Sequence, residues 1–465
     1  MRIDGLYRVL LATAMSVVTM SAMAEVTYFD GAQDAESKQV MKQAAKDIDK
    51  YRKGNFSVTL VDATSGASVT ESAVIELEQH KFEFGVSLYR VADQAAELKR
   101  RAYEVTSDIF NKVTICDYFS TWNYSRDDGV VSNEQNLDPA MEHINFAQEH
   151  GMGMRFHAVW YNLPMWLDGD GWSEEEFWVM FEERIKYVAD HYGDIIDEYD
   201  VINETVFWHG DFYKSNPGYP DFNDPEMAKR AFDLARKYLP DHKLVALEAS
   251  IASTTNETFL RTIKHHKDFI EHGVDYDYVG YQGHFYYQDR DYRDGRSDTG
   301  DDCFTMARVS EGLDLLGDLG KPVVITEFNG PSRSNSSVFE GEVDPLWSLS
   351  EQENADWQIN FYRLAFSKPY IHQITRWFVV DQLGGRGVDA GIITEEGEDH
   401  AIYEKLKELI HKEWHTKYRG QSDNGDHVFM GFYGDYIINV DGYQSAKIEL
   451  YESGDYEIKL EKCVQ

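Results

Sequence analysis

The chain has 465 residues, of which 42% are apolar, 14% aromatic and 27% charged, with only three cysteines. That composition is globular, and it excludes a disordered tail protein, a collagen and a disulfide scaffold. The net charge of −37 sets the surface against phosphate backbones and anionic bilayers, so neither a nucleic acid nor a membrane is expected as a partner.

In chain order, the first segment reads as an export signal. Arg2 and Arg8 precede the apolar run 9–20, and Ala22-Met23-Ala24 puts small residues where a signal peptidase cuts. The run is too short to span a bilayer. The expectation is a signal peptide over 1–24 and a secreted or periplasmic mature chain. Residues 25–79 form an N-terminal extension with strand-like runs at 56–63 and 73–77 around Thr64-Ser65-Gly66.

From residue 80 to 415 the pattern changes. Apolar runs at 82–88, 112–116, 154–160, 198–203, 243–248, 278–285, 322–327 and 373–380 are continuous rather than alternating, as in strands buried on both faces. A helix signal follows each. The clearest are the capping box Ser173 to Glu176 and Asp224-Pro225, an N-cap with proline at the first helical position. The others lie at 95–110, 139–150, 255–272, 306–319, 351–366 and 401–414. Eight such repeats predict an α/β fold, a closed (β/α)8 TIM barrel. An open doubly wound sheet is the alternative, but no glycine-rich dinucleotide turn supports it. Residues 416–465 form a C-terminal β segment, with strand-like pairs at 428–440 and 446–459 and turns at Gly434-Asp435 and Gly454-Asp455. With the N-terminal strands they predict a small β-sandwich built from both termini, joined to the barrel through 414–421.

Catalytic groups of such barrels stand at the C-terminal ends of strands. The fourth run closes on Asn203-Glu204 and the seventh on Thr326-Glu327. Two glutamates on nearly opposite strands of one rim match the need of glycoside hydrolysis for one protonated and one ionised carboxyl group flanking one bond.

The motifs around these glutamates resemble the family 10 glycoside hydrolases, mostly endo-β-1,4-xylanases of the retaining βα-barrel clan. Asp200-Val201-Ile202-Asn203-Glu204 resembles that family's acid/base motif and Ile325-Thr326-Glu327 its nucleophile motif. Arg155-Phe156-His157 with Trp160 and Leu163-Pro164-Met165-Trp166 resembles its strand-three motif. Tyr281-Gln282-Gly283-His284 and Ile374-Thr375-Arg376-Trp377 resemble those of strands six and eight, and Gly391-Ile392-Ile393 with Ala401-Ile402-Tyr403 its closing segment. The resemblance implies a polysaccharide or oligosaccharide substrate and no cofactor or metal. It implies that Glu204 is the general acid and then the base, and Glu327 the nucleophile. Gln282, His284 and Asn203 would orient the nucleophile and the sugar 2-hydroxyl, and His157 would join them in binding substrate. Trp160 and Trp377, with Trp166, would stack on sugar faces.

The departures from the family fall on substrate contacts. After strand two the family carries a Glu-Asn pair and a Lys, where this chain reads Cys116-Asp117-Tyr118-Phe119-Ser120. The family's Trp-His after strand three is Trp160-Tyr161, and its Asp two residues after the nucleophile is Asn329. The second Trp after strand eight is missing, near Gly384-Gly385-Arg386-Gly387. The alternatives to a xylanase are a clan-related hydrolase of a different glycan, an algal or anionic one among them, and a non-catalytic glycan-binding barrel. The acidic loop 289–302 loosely resembles a calcium loop but carries Arg293 and Arg296 as internal charge partners, so it reads as a solvated loop. His265-His266, between Lys264 and Lys267, reads as a solvated helix face, and Cys116 as a buried thiol.

Overall fold

The computed structural model describes residues 28–117, 122–125, 129–132, 134–161, 172–206, 218–249, 252, 254, 256–286, 304–332, 349–381 and 390–463. The signal segment, Leu163 to Trp166, Tyr118 to Ser120, the loop 289–302 and Gly384 to Gly387 lie outside them.

Among the described residues eight parallel strands close a barrel. They are Glu83–Ser87, Lys112–Cys116, Gly153–His157, Glu198–Asn203, Lys243–Glu248, Tyr278–Tyr281, Val323–Ser332 and Ile371–Arg376, numbered first to eighth below. The eighth pairs back onto the first, from Gln373 opposite Glu83 to Arg376 opposite Val86. The fourth strand is buried at every position and the fifth at all but its first, because helices cover one side and interior side chains fill the other. This is the predicted (β/α)8 barrel. The helices start where the sequence signals lie: Glu174–Tyr192 behind the Ser173–Glu176 capping box and Pro225–Tyr238 behind the Asp224 N-cap.

The barrel interior is polar at its centre. Arg155 of the third strand is fully buried and donates to Asp200 (2.8 Å), to the Thr114 hydroxyl (2.9 Å) and to the Thr326 carbonyl (2.7 Å). It thereby ties the second, third, fourth and seventh strands one residue below Glu327. At the opposite, N-terminal end Lys112 bridges Glu83 and Glu198, each at 2.7 Å.

The terminal strands form two sheets. Lys53–Asp62 lies between Asp426–Phe432, antiparallel, and Gly454–Leu460, parallel. Ala73–His80 lies between Lys417–Gly420 and Gly434–Val440, with Ala446–Leu450 at the edge. Phe56 of the first sheet meets Tyr436 of the second with ring centroids 6.1 Å apart. Burial alternates along Lys53–Asp62, as in a sheet with one face to water. Three expectations are corrected here. Residues 417–420 are a strand of the second sheet rather than a link, because their backbone pairs with Ala73–Glu76. Trp414 is a core residue, its ring 4.2 Å from Phe366. Gly434-Asp435 and Gly454-Asp455 open strands instead of forming the turns, which fall one or more residues earlier.

A helix over Ala35–Tyr51, capped by the Asp34 side chain, precedes the first sheet and was not anticipated. At its end Arg52 donates to the carbonyls of Phe366 (2.6 Å), Lys368 (2.5 Å) and Ile371 (2.7 Å), clamping the extension to the start of the eighth strand. Arg52→Ala strands three carbonyl acceptors at once. A loss of about 2–4 kcal/mol is expected, read as a lower urea midpoint with an unchanged slope.

Candidate active site

Glu204 and Glu327 both stand at the C-terminal rim, and the sixth strand lies between them. The strand pauses at Gln282-Gly283 before His284–Tyr286 pairs with the end of the seventh strand. Gly283 takes φ +78, where a Cβ would also come within 3.0 Å of Ile325. Only glycine accepts that conformation cheaply, and through it the strand presents both Gln282 and His284 to the cleft. The Gln282 side chain donates to Glu204 Oε1 (2.9 Å) and to Asn203 Oδ1 (3.2 Å). Its backbone carbonyl accepts from the Glu327 N–H at 2.8 Å. One residue therefore ties the two glutamates.

Glu327 is buried, and its Oε2 lies 3.0 Å from His284 Nε2. Asn329 Nδ2 stands 2.9 Å from His284 Nδ1. His284 thus bridges the Asn329 amide and the Glu327 carboxyl group. On the other side His157 Nδ1 bonds Asp200 Oδ2 at 2.7 Å, the oxygen that also accepts from Arg155. His157 Nδ1 is 3.9 Å from Glu327 Oε1. Asp200 and Asn329 each bond the Nδ1 of one of the two histidines; the sequence reading placed Asn329 among the substrate-contact departures and gave Asp200 no role of its own, whereas Asn329 here bonds His284.

Glu204 has φ +59, one of two described non-glycine residues in the left-handed region. For a residue with a Cβ this costs about 1–3 kcal/mol and persists only where neighbours hold it. Glu248, which closes the fifth strand, bonds the two residues that follow Glu204. Its Oε1 accepts from the Thr205 N–H (2.9 Å) and the Thr205 hydroxyl, and its Oε2 from the Val206 N–H (3.1 Å). Burial pushes the Glu248 carboxyl up to about 8. The bonds from Thr205 and Val206 oppose that, while the Glu204 charge adds to it.

The aromatic residues divide. Trp377 closes the cleft between the two histidines, its ring 5.3 Å from His157 and 6.4 Å from His284, and Tyr89 stacks on it at 5.8 Å. Tyr89, after the first strand, is a cleft residue the sequence reading missed. Trp160 is corrected: it is 3% exposed and meets Phe222 edge-on at 5.0 Å, within a cluster that includes Phe177 and Trp178. It is a core ring, not a sugar platform. His265 and His266 are also corrected. Both are buried on the apolar side of Glu257–Glu271, His265 against Phe269 and His266 against Tyr276, so they are not a solvated face. Cys116 is half-buried, with its sulfur 3.4 Å from the Ser87 hydroxyl.

Asp117 lies in the stretch that replaces the family's Glu-Asn pair and Lys. Its carboxylate is fully buried and accepts from Trp122 Nε1 (2.9 Å) and the Tyr192 hydroxyl (3.0 Å). This part of the rim binds the protein's own core.

Residues 74–387 match the family model for glycosyl hydrolase family 10. Over 414 residues the chain is 27% identical to the anti-sigma-I factor RsgI6 of Acetivibrio thermocellus, covering 86% of this chain and 47% of that protein. Over 200 residues it is 29% identical to endo-1,4-beta-xylanase B of Thermotoga neapolitana, covering 42% of this chain and 53% of the relative. The chain thus spans about half the length of these curated relatives. Xylanase 10B from Thermotoga petrophila RKU-1, solved with xylobiose, superposes with a TM-score of 0.55 at 23% identity. That match covers 72% of this chain and 95% of the other, and it shows the shared barrel fold. With the match of the family model over most of the chain and both glutamates at the rim, the chain belongs to glycoside hydrolase family 10.

Proposed function

We propose that the protein is an exported glycoside hydrolase that cuts a β-linked polysaccharide by double displacement at two glutamates, with retention of configuration. The observation that carries this reading is the pair Glu204 and Glu327 tied through Gln282 on one rim. Glu327, buried and hydrogen-bonded to His284, is the nucleophile. Glu204, one residue past the fourth strand on the same rim, protonates the leaving oxygen and then activates water. Asn203 and Gln282 meet the sugar next to the cleaved bond, and Trp377 with Tyr89 supplies a flat apolar surface for a sugar face.

The substrate is a β-linked glycan, with weak activity expected on unsubstituted xylan. Cys116 and Asp117 replace the family's Glu-Asn pair, and the Asp117 carboxylate is spent on Trp122 and Tyr192. Hydrogen bonds missing from a sugar subsite cost binding in the transition state as well as in the ground state. On a panel of β-linked polysaccharides, turnover of unsubstituted xylan is expected at less than about 1% of the best substrate, a gap of nearly 3 kcal/mol. Early products followed by NMR should be the β anomer. Fast cutting of plain xylan with other glycans untouched overturns the substrate assignment, and α product overturns the retaining mechanism.

A further inference from the structure

The strand-five carboxyl Glu248 is 1% exposed and stands outside the cleft residues assigned above. Its carboxyl group accepts from three donors, all on the two residues that follow Glu204: the N–H and hydroxyl of Thr205 and the N–H of Val206, which reaches both oxygens. Thr205 and Val206 are buried, so these N–H groups have no water to turn to if the carboxyl is lost. Two further contacts complete the cradle. The Glu204 N–H donates to the Leu247 carbonyl at 3.0 Å, one residue before Glu248. The Thr205 hydroxyl lies 3.2 Å from His265 Nε2, whose ring burial keeps neutral. The left-handed backbone at Glu204 is what aims its side chain at Gln282.

We infer that Glu248 is a positioning residue for acid–base catalysis: its carboxyl holds the Glu204–Thr205–Val206 turn in the left-handed conformation that sets Glu204 at the cleaved bond. The inference rests on the proposed role of Glu204. It separates a residue that shapes proton transfer from one that merely fills the core. Burial keeps the Glu248 proton on at neutral pH, so the holder adds no negative charge beside the acid, and a neutral amide of the same shape is a fair substitute.

The test uses the full chain and two aryl β-glycosides, 2,4-dinitrophenyl and phenyl, of the disaccharide released from the best substrate of the polysaccharide panel. The first leaving group departs without a proton, and the second needs one. In Glu248→Leu, kcat/KM for the dinitrophenyl glycoside is expected within about threefold of wild type. For the phenyl glycoside it should fall about 100-fold, the usual worth of a general acid. Glu248→Gln keeps an acceptor at the Oε1 position and should recover the phenyl reaction to within about fivefold. Glu248→Asp is one carbon shorter and cannot reach both N–H groups, so about a tenfold selective fall is expected even if the leucine variant fails to fold. Equal losses on both glycosides, or no loss on either, overturn the inference. Wild-type enzyme inert on both would count against the reading of Glu204 itself. Crystal structures of the variants then decide the placement alone: Glu204 should leave the left-handed region in Glu248→Asp and Glu248→Leu and keep it in Glu248→Gln. An unmoved Glu204 in all three overturns the inference.

Discussion

With Glu327 as the proposed nucleophile, its replacement by alanine removes the carboxylate that would carry the sugar, and turnover should fall by on the order of 10⁴-fold or more on every glycan the protein cuts. The loss should not depend on the leaving group, because no proton donor replaces a missing nucleophile. The seat left behind is specific. His284 keeps its Nε2 facing the vacated oxygen, held there by Asn329, and Arg155 still anchors the strand through the Thr326 carbonyl. A small anion such as azide can occupy that seat and attack the anomeric carbon from the nucleophile's own face. With an activated β-glycoside this single displacement inverts configuration, so the expected product of Glu327→Ala with azide is the α-glycosyl azide. Product of β configuration, read by NMR, would mean that another group carries the sugar and that Glu327 was misassigned. Unchanged hydrolysis by the variant would do the same.

What the chain disclosed before its structure depends on how local each signal is. Barrel strands are continuous apolar runs, and burial on both faces writes that directly into the sequence. The runs at 112–116, 198–203 and 243–248 coincide with the observed strands Lys112–Cys116, Glu198–Asn203 and Lys243–Glu248. Glutamates that close strands four and seven are equally local. The helix Ala35–Tyr51 was passed over: Val40, Met41, Ala44 and Ile48 recur at helical spacing, but polar residues surround them and only Ser37, Ala44 and Ile48 are buried. Its Asp34 cap was a second clue. Trp160 and His265-His266 failed for a different reason: an aromatic or imidazole ring beside polar neighbours gives no sign of which side it packs on. Asp200 and Asn329 act across strands, through bonds that no spacing reveals. Glu248 was open to discovery by the rule that found Glu204, as the polar residue that closes an apolar run, but its role emerges only once the turn it caps is seen.

Replacing Glu204 by alanine should produce a defect that depends on the leaving group, and this contrast with Glu327→Ala assigns the two roles. In its proposed role Glu204 takes no part in forming the bond to the sugar; it gives and later takes a proton. For an unactivated glycan, loss of the acid should lower turnover by about 10²–10⁴-fold. For a dinitrophenyl glycoside the first step survives, and the second, in which water must be activated, becomes limiting. The glycosyl–enzyme on Glu327 then accumulates, giving a burst of dinitrophenolate followed by slow release, and KM falls along with kcat. The geometry supports such trapping: Gln282 still holds the backbone of Glu327 through its carbonyl, and His284 is untouched by the substitution. Azide needs no base, so it should restore turnover of the dinitrophenyl glycoside and deliver the β-glycosyl azide, the retained product of two successive inversions. Mass spectrometry of the quenched burst should find one added glycosyl group, on the peptide that contains Glu327. A variant with no burst, no azide rescue and equal loss on both kinds of leaving group would show that Glu204 is not the proton donor, and the acid would have to be sought elsewhere on the rim.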